Sequence, residues 1–509
     1  MADEIIAAPL SIDGLIASNN PSNLLAIVQA ISAMDEPIVR EGYIGSVVKK
    51  FNVPKKMILQ MLQAMVGQQE DEAETKTTIK ADFEGLIDLV SDHQGNIVFW
   101  TINSLTGELG QYSSWNDGTT EFIPPTLAQI PYMPPKLSEI MCHYKIEDRN
   151  LFRELGQYLK RFCYVTDGQI LVVGNMILAT YLQDHSDINY IPIISLIGEP
   201  ERGKSRLGMA ATFASFRGVV MNGIREAHII RLAEDYSATI FIDLRAAWKK
   251  VVAEKCEDII LGRYEKGHQV MRVISPEKGA YADSRFFKAY GPTFLASNEP
   301  LDRILDTRCI PLIMGNHPAE YEKPTEQKGL VWRERLVAWK AKTILQSLPA
   351  IEPVQGLKGR FWDISSTLLR ICSLVFPEGY EALKTELQKI AQEKVEARRS
   401  SWEGTIAQHV LSFLNPSIIG SGSYLIKLAD ILNKINMSLP NDRKISSQYL
   451  GLKLKNMSIK TKHIQGHSHV IIDKSLIDNL REQYGLVTAS DQPTTGTASD
   501  GNIINKEVN

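Results

Sequence analysis

One short stretch, residues 194–206 (ISLIGEPERGKSR), constrains the fold of this 509-residue chain more than any other. An apolar segment ends in the spacing Gly-x-x-x-x-Gly-Lys-Ser, from Gly198 to Ser205, and a helical pattern (206–216) follows. The two glycines let successive backbone N–H groups turn toward an anion. A strand, a loop of this kind and a helix predict a phosphate-binding loop within an α/β fold.

The residues of this loop have separate predicted roles. Lys204 reaches the β and γ phosphates of ATP or GTP, and Ser205 offers its hydroxyl to Mg²⁺. The start of the following helix adds positive potential. Two carboxylates, Glu199 and Glu201, are unexpected beside an anionic ligand. The whole predicted nucleotide-binding set is Gly198, Glu199, Pro200, Glu201, Arg202, Gly203, Lys204, Ser205 and Arg206.

A second apolar segment supplies an acid for the Mg²⁺ shell. In SATIFIDLR, residues 239–242 are apolar or β-branched and Asp243 follows them, which predicts a buried strand with a carboxylate at its end. Many ATPases place a glutamate directly after this aspartate to polarise water, but this chain has Leu244 there. The water-activating base therefore comes from Glu201, Glu257 or Asp258, or hydrolysis is slow.

Two further polar residues follow later strands. The apolar run 293–296 leads to Asn298, and ten residues later Arg308 precedes another apolar run, 310–314. We predict that Asn298 positions the lytic water and that Arg308 reaches the γ-phosphate of a neighbouring subunit, with Arg303 as the other candidate. A turn asparagine and a surface salt bridge are the alternatives.

The composition places this site in an ordinary globular chain. A net charge of −3 gives no global sign of nucleic-acid binding. The five cysteines lie far apart without a Cys-x-x-Cys pair, which argues against a zinc site or a disulfide framework and suits a reducing cytosol. Neither a signal peptide nor an apolar run of ~20 residues is present. We therefore expect a cytoplasmic protein without membrane association and with ATP and Mg²⁺ as cofactors.

The four segments GEPERGKS, IFIDLR, FLASNEPLDR and LDTRCIPLIM together resemble AAA+ and superfamily 3 helicase-type ATPases. More closely, residues 190–316 look like the ATPase half of primase–helicase proteins from phages, plasmids and other mobile elements. A weaker resemblance, at 30–65, is to the helical segment that follows the toprim fold in bacterial-type primases. No toprim-like acidic cluster accompanies it. The resemblance implies a homo-oligomeric ring, hexameric by analogy, with ATP between subunits. A separate primase or other replication proteins are the expected partners.

The resemblance also indicates which residues of the loop are unusual. Many AAA+ loops read Gly-Glu-Pro-Gly-x-Gly-Lys-Ser, so Glu199 and Pro200 are ordinary there, and Glu201 and Arg202 are the departures. Arg202 either neutralises Glu201, or both face a neighbouring subunit.

Two basic clusters are candidates for nucleic-acid contacts. Between the strands that lead to Asp243 and Asn298, the segment LGRYEKGHQVMRVISPEKG would form a hairpin that faces the pore of a ring and grips phosphates. A solvated basic loop is the alternative. Residues 402–485 read as three helices, a β-hairpin and a helix, the order of a winged helix that binds DNA or, alternatively, protein. The predicted contacts are Arg263, Lys266, His268, Arg272, Lys453, Lys455, Lys460 and Lys462, with Lys278, Arg443 and Lys444 beside them.

The predicted architecture is a P-loop NTPase (AAA+-like) core with helical flanks, a small N-terminal β unit and a C-terminal winged helix. The expected segments are a helical segment (1–66), a linker (67–82), a β unit (83–135), a helical region (136–190), the ATPase core (191–316), a second helical region (317–400), the winged helix (401–485) and a disordered tail (486–509). The predicted function is an ATP-dependent DNA helicase or translocase. The alternative is a non-motor protein whose DNA binding ATP switches, such as a replication initiator or regulator.

Overall fold

The computed structural model describes residues 12–486 except 19, 33, 35–36, 60, 63–75, 244–246, 276, 278, 280–282, 317–318 and 415–423. The protein is a mixed α/β chain that separates into two compact units, Met1–Ile130 and Pro131–Asn509. The predictions for Leu244, for Lys278, for most of the linker and for nearly all of the C-terminal tail lie outside the described residues. Among the described helices, none is long and apolar enough to cross a membrane.

The first unit begins with short helices. They are α1 (Ile12–Ala17), α2 (Leu24–Ser32) and α3 (Pro37–Phe51). Apolar side chains recur every three or four residues along α2 and α3, so one stripe of each helix, including Ile27, Ile31, Ile44 and Val47, is buried in a shared core.

The rest of the first unit, which we call the β module (residues 76–130), contains two three-stranded sheets. One has the order β1-β6-β5 and the other β2-β3-β4. The aromatic ring of Phe83 contacts the rings of Phe99, Trp115 and Phe122. The strands are β1 (Lys76–Ile79), β2 (Leu86–Ser91), β3 (Ile97–Ile102), β4 (Leu109–Tyr112), β5 (Trp115–Asn116) and β6 (Thr120–Ile123).

The β module differs from the sequence prediction at one end. Strand β1 lies inside the segment 67–82 that was expected to be a linker, and it pairs in parallel with β6, so the module is not purely antiparallel. The run Thr77–Ile79 is β-branched at every position, a composition that favours strands. A partner strand more than 40 residues later in the chain was not visible to local pattern reading.

Helices precede the central sheet of the second unit. They are α4 (Leu137–Tyr144), α5 (Leu151–Lys160) and α6 (Asp167–Tyr181). A capping box, in which the side chains of Thr166 and Gln169 bond each other's backbone, starts α6. All residues from Gln169 to Tyr181 are buried, which explains why this segment is apolar on every side.

Five parallel strands form the central sheet, in the order β13-β7-β12-β9-β8. Strands β7, β9 and β12 are near-continuous buried apolar runs, as expected for a parallel sheet covered on both faces. The strands are β7 (Ile193–Ile197), β8 (Val219–Met221), β9 (Ile240–Asp243), β12 (Thr293–Ser297) and β13 (Cys309–Ile313).

Helices and one hairpin connect or flank these strands. Helix α7 lies close to the sheet because Gly208 faces the ring of Phe241, which a Cβ at position 208 would approach to 2.2 Å. The remaining elements are α7 (Lys204–Ala214), α8 (Glu226–Glu234), α9 (Ala247–Ala253), α10 (Glu257–Gly262), the hairpin strands β10 (Gln269–Val273) and β11 (Ser284–Lys288), α11 (Arg303–Asp306), α12 (Glu326–Thr343), α13 (Gly359–Val375) and α14 (Tyr380–Arg399).

The C-terminal segment has its own buried apolar core. Its elements are α15 (Trp402–Leu411), β14 (Tyr424–Lys427), α16 (Leu428–Met437), α17 (Ser447–Asn456), β15 (Lys460–Ile464), β16 (His467–Ile472) and α18 (Lys474–Tyr484). The predicted helices and hairpin occur in the expected order. The strand β14 was predicted to be helical; it is extended because it completes the sheet β14-β16-β15. Leu486, assigned to the tail, is buried in this core.

Candidate nucleotide site and nucleic-acid contacts

The 198–205 loop connects the carboxyl end of β7 to the amino end of α7, as its sequence predicts. Gly203 caps the helix with φ 82°, and a Cβ there would lie 2.8 Å from that of Cys163, so glycine is required at this position. Glu201 also adopts a left-handed conformation, with φ 66°. A non-glycine residue is strained in this conformation, which explains physically why glycine is usual at this point in similar loops.

The charged side chains of the loop are arranged around its own backbone. Lys204 is 6% exposed, and its Nζ donates a hydrogen bond of 2.5 Å to the carbonyl oxygen of Glu199. Burial lowers the pKa of the Lys204 ammonium, and the nearby Asp243 carboxylate opposes this shift. Arg202 Nη2 donates to Glu199 Oε2 at 2.7 Å and lowers the pKa of that carboxyl. Of the two alternatives for Arg202, the pairing with Glu201 is not found, because Arg202 bonds Glu199; the alternative that Glu201 and Arg202 face a neighbouring subunit stays a prediction.

Two predicted site residues, Asp243 and Asn298, lie at the carboxyl ends of strands in the central sheet, beside the 198–205 loop. In the pairing of β12, Ala296 lies beside Asp243, and Ser297 lies beside Ile197. Asn298 therefore leaves the sheet between the end of β9 and the start of the 198–205 loop, and both Asp243 and Asn298 are exposed. Ligands of open parallel sheets bind at this carboxyl edge.

A cavity of about 620 Å³ opens beside the loop. Its other wall comes from residues that sequence reasoning did not identify, because they lie far away in the chain. Arg206 Nη1 donates a hydrogen bond of 2.9 Å to the carbonyl oxygen of Tyr321 and so holds part of this wall in place. Burial raises the pKa of the Cys163 thiol to about 12, so Cys163 is not a nucleophile here. Besides Arg206, which was predicted, the lining residues outside the loop are Phe162, Cys163, Tyr164, Gly315, Asn316, Ala319, Glu320 and Tyr321.

The residues present fit a magnesium nucleotide. Lys204 Nζ bonds a neutral carbonyl of the loop, an acceptor that phosphate oxygens can replace. Mg²⁺ needs only one or two protein ligands besides phosphates and water, and Ser205 and Asp243 are the candidates. Among the described residues, no group of three or more His, Cys, Asp or Glu side chains is arranged to hold a metal by itself.

Arg308 lies at the opposite end of the strands of the same sheet, before the amino end of β13. It precedes β13, whose first residue Cys309 pairs with Ile193, so about six strand residues, roughly 20 Å, separate its level from Gly198. Arg308 Nη1 donates to the carbonyl oxygen of Ile304 at 2.8 Å, and the guanidinium lies over the ring of Tyr264 at 5.3 Å. Its Nε is buried without a hydrogen-bond partner among the described residues. Arg308 is therefore beyond reach of the 198–205 loop in the same chain.

The carboxylates predicted as candidate bases differ in exposure and in hydrogen bonding. Glu201 is exposed, and Glu257 is half-buried in the first turn of α10. Asp258 Oδ2 accepts a hydrogen bond of 2.9 Å from Arg272 Nη2, so this carboxylate is already engaged. Arg303, the other candidate arginine, is exposed at the start of α11.

The structure corrects the prediction for the basic hairpin. Arg263 is fully buried and donates to the hydroxyl of Thr293 at 2.6 Å and to three backbone carbonyls, so it cannot contact nucleic acid. Lys266 Nζ donates to the carbonyl oxygens of residues 184 and 185, each at 2.9 Å. Arg272 is paired with Glu226 and Asp258. His268 alone of the four predicted contacts is exposed.

The exposed face of this hairpin is apolar instead. Met271 and Phe286 lie opposite each other on β10 and β11, and Val273 follows Met271 on the same face. These three side chains and that of Ile274 are each 55–60% exposed. Sequence reading missed this face because a strand turns alternate residues to opposite sides. Arg272 and Arg285 lie on the other side of the hairpin, where they pair with carboxylates.

The C-terminal segment keeps most of its predicted contacts accessible. Lys455, Lys460 and Lys462, which we call the C-terminal lysine cluster, are exposed, as are Arg443 and Lys444. Lys453 differs, because its Nζ donates to Glu403 Oε1 at 2.8 Å and the side chain is only 25% exposed.

Comparisons with known proteins add little to this geometry. No protein-family model matches the chain, and no curated protein matches it. Among solved structures, one described as "SCCmec type IV Cch - active helicase" is similar at 11% sequence identity and a TM-score of 0.32, over 86% of this chain and 87% of that one. A TM-score of this size carries no argument, so any functional proposal depends on the site itself.

Proposed function

We propose that the protein is an ATP-dependent DNA helicase or translocase, a P-loop ATPase of the AAA+ and superfamily 3 type. The single observation that supports this most is the meeting of the 198–205 loop, Asp243 and Asn298 at one carboxyl edge of the sheet. A cavity of about 620 Å³ is lined by residues 201–205 of the loop, although not by Asp243 or Asn298. The four-segment resemblance adds the expectation of a ring of copies, hexameric by analogy, working in the replication of a mobile element.

Each residue at this edge has a chemical role in the proposal. Backbone N–H groups of the 198–205 loop hold the phosphates, and Lys204 exchanges the carbonyl of Glu199 for phosphate oxygens. Ser205 and Asp243 hold Mg²⁺, which neutralises charge that develops on the phosphates. Asn298 positions the attacking water. Glu201 and Glu257 are the carboxylates that we propose as candidates to accept its proton.

The position of Arg308 leads to the proposal of a shared site. One chain cannot bring Arg308 to its own 198–205 loop, since the two lie at opposite ends of the strands. In the proposed ring, the end of the sheet that carries Arg308 in one copy faces the 198–205 loop of the next copy. An arginine supplied across such a boundary stabilises charge in the transition state.

The nucleic-acid contacts in this proposal differ from those predicted from sequence. The C-terminal lysine cluster, on a proposed winged helix, contacts phosphates of duplex DNA. The hairpin contacts single-stranded DNA through its apolar face, with Phe286 stacking on bases, because stacking does not require free positive charges.

A mixing experiment tests the shared site. Lys204→Met and Arg308→Ala chains are each expected to lack DNA-stimulated ATP turnover. When the two are mixed equally, about a quarter of the boundaries pair an intact Lys204 with an intact Arg308, if chains assort at random. Turnover should therefore return to about a quarter of the wild-type rate per chain.

Two results would contradict parts of the proposal. Mixtures that stay inactive, while both variants assemble as the wild type does, would refute the shared site. Single-stranded DNA that fails to stimulate turnover, combined with intact ATP-dependent DNA binding, would refute the motor and favour a protein that ATP switches.

A further inference from the structure

The β module carries a groove that the proposed motor does not use. It encloses about 620 Å³ between the β2–β3–β4 sheet and the turn that joins β3 to β4. Two of its lining rings, Tyr112 and Trp115, meet edge to face with centroids 5.2 Å apart, and Tyr112 is 43% exposed. Leu105, on the turn, is 94% exposed. Apolar surface of this kind, set in a concave site, is suited to contact with a ligand.

Part of the groove is lined by β4, an edge strand. Among the described residues, β4 pairs with β3 alone and is the last strand of its sheet. Gln111 and Tyr112, its last two residues, are exposed. The backbone N–H and C=O groups on the outer side of β4 are therefore available to a further strand.

The charge of the groove selects the kind of ligand. Glu84 and Glu108 line it and are exposed, whereas none of its lining residues in the described part of the chain is a lysine or arginine. The whole β module has two lysines against seven carboxylates, a net charge of −5 over residues 76–130. Such a surface repels phosphate, so the aromatic rings are not a platform for nucleic acid. It attracts lysine and arginine, whose apolar stems and cationic heads both pack on aromatic rings.

We propose that this groove binds an extended, basic segment of a partner protein, which adds as a strand to the free edge of β4. Main-chain hydrogen bonds to β4 give affinity, and alternate side chains of the segment enter the groove. Lysine or arginine side chains of the segment lie beside Glu84 and Glu108, and their stems cover Tyr112 and Trp115. The site would connect the proposed motor to another protein.

The test uses the full-length protein and a random peptide library. Selection should enrich peptides that combine lysine or arginine with β-branched residues. An enriched peptide should slow hydrogen exchange of the β4 amides, Leu109 to Tyr112. The Glu84→Gln/Glu108→Gln double variant should bind this peptide roughly 2- to 30-fold more weakly, as expected for the loss of two exposed ion pairs. Glu121→Gln, which removes a carboxylate of the same module outside the groove, should bind it unchanged.

Three results would overturn the proposal. The first is a selection that enriches no basic peptide. The second is an enriched peptide that binds the double variant and the Glu121→Gln control equally well, or that leaves exchange at β4 unchanged. The third is protection of the β4 amides by an oligothymidine, which would assign the groove to single-stranded DNA instead. All three are independent of ATP turnover, so they do not test the proposed motor.

Discussion

Replacing Lys204 with methionine should strongly weaken nucleotide binding without destabilising the empty protein. The side chain is 6% exposed, its Nζ has one hydrogen bond, to a neutral carbonyl, and burial lowers its pKa. An ammonium group in this setting costs free energy until an anion arrives. Methionine has a similar length and no charge to bury. We therefore expect the melting temperature of nucleotide-free Lys204→Met to equal or exceed that of the wild type.

The loss of affinity can be worked from the same contacts. Phosphate oxygens would give Lys204 about two charge-assisted hydrogen bonds of about 1.5–3 kcal/mol each. The bond to the Glu199 carbonyl is given up in exchange, at about 1 kcal/mol. The net loss on substitution is about 2–5 kcal/mol, so ATP should bind roughly 30- to 5,000-fold more weakly. Polarisation of a fluorescent ATP analogue measures this change.

Lys266→Met is the matched control, since it makes the same substitution at a half-buried lysine elsewhere in the same unit. Lys266 Nζ bonds two carbonyl oxygens at 2.9 Å, and it lies outside the nucleotide cavity. Its replacement should lower the melting temperature and leave ATP affinity unchanged. The reasoning would be refuted if Lys204→Met lowered the melting temperature as much as Lys266→Met, or if it bound ATP within a few-fold of the wild type.

Four further predictions follow from individual contacts. Gly203→Ala should lose ATP binding, because its φ is 82° and its new methyl group meets Cys163; titration with labelled nucleotide measures this. Arg263→Met should lower the free energy of unfolding, measured by denaturation curves, by about 2–4 kcal/mol, because buried acceptors lose their donor. Unchanged stability together with a weaker salt dependence of DNA binding would contradict this. Arg161 and Lys328 lower the pKa of the Glu322 carboxyl from 4.5 to about 2, so its stabilising effect is complete above pH 4.5 and is lost as pH falls toward 2; Glu322→Gln should flatten the melting-temperature profile across that window. Replacing the C-terminal lysine cluster with alanine should reduce the slope of log affinity for duplex DNA against log salt by about 2–3, and an unchanged slope would place the DNA contacts elsewhere.

The nucleotide loop shows how far local sequence reaches. The apolar run before Gly198 and the helical pattern after Gly203 predict the strand, loop and helix that the structure contains. They do so because propensity, periodicity and glycine spacing act between residues that are neighbours in the chain. The same reasoning anticipated the C-terminal hairpin, whose turn residues Gln465 and Gly466 both have positive φ.

The basic residues show where this reasoning ends. Arg263, Lys266 and Arg272 were equal members of one predicted cluster, yet one is buried, one bonds backbone carbonyls and one is held by carboxylates. Their partners lie up to 82 residues away along the chain. A charged residue in a sequence pattern therefore says little about its accessibility.

Local sequence patterns are enough to predict the α/β class, the order of most elements and the polar residues at the ends of three strands. They do not predict the strand order β13-β7-β12-β9-β8, which brings Asn298 between the 198–205 loop and Asp243 and puts Arg308 at the opposite end of the strands. The second wall of the cavity and the apolar face of the hairpin also depend on the tertiary structure. The physical reason is that local patterns fix which backbone forms, whereas burial and pairing depend on contacts between distant segments.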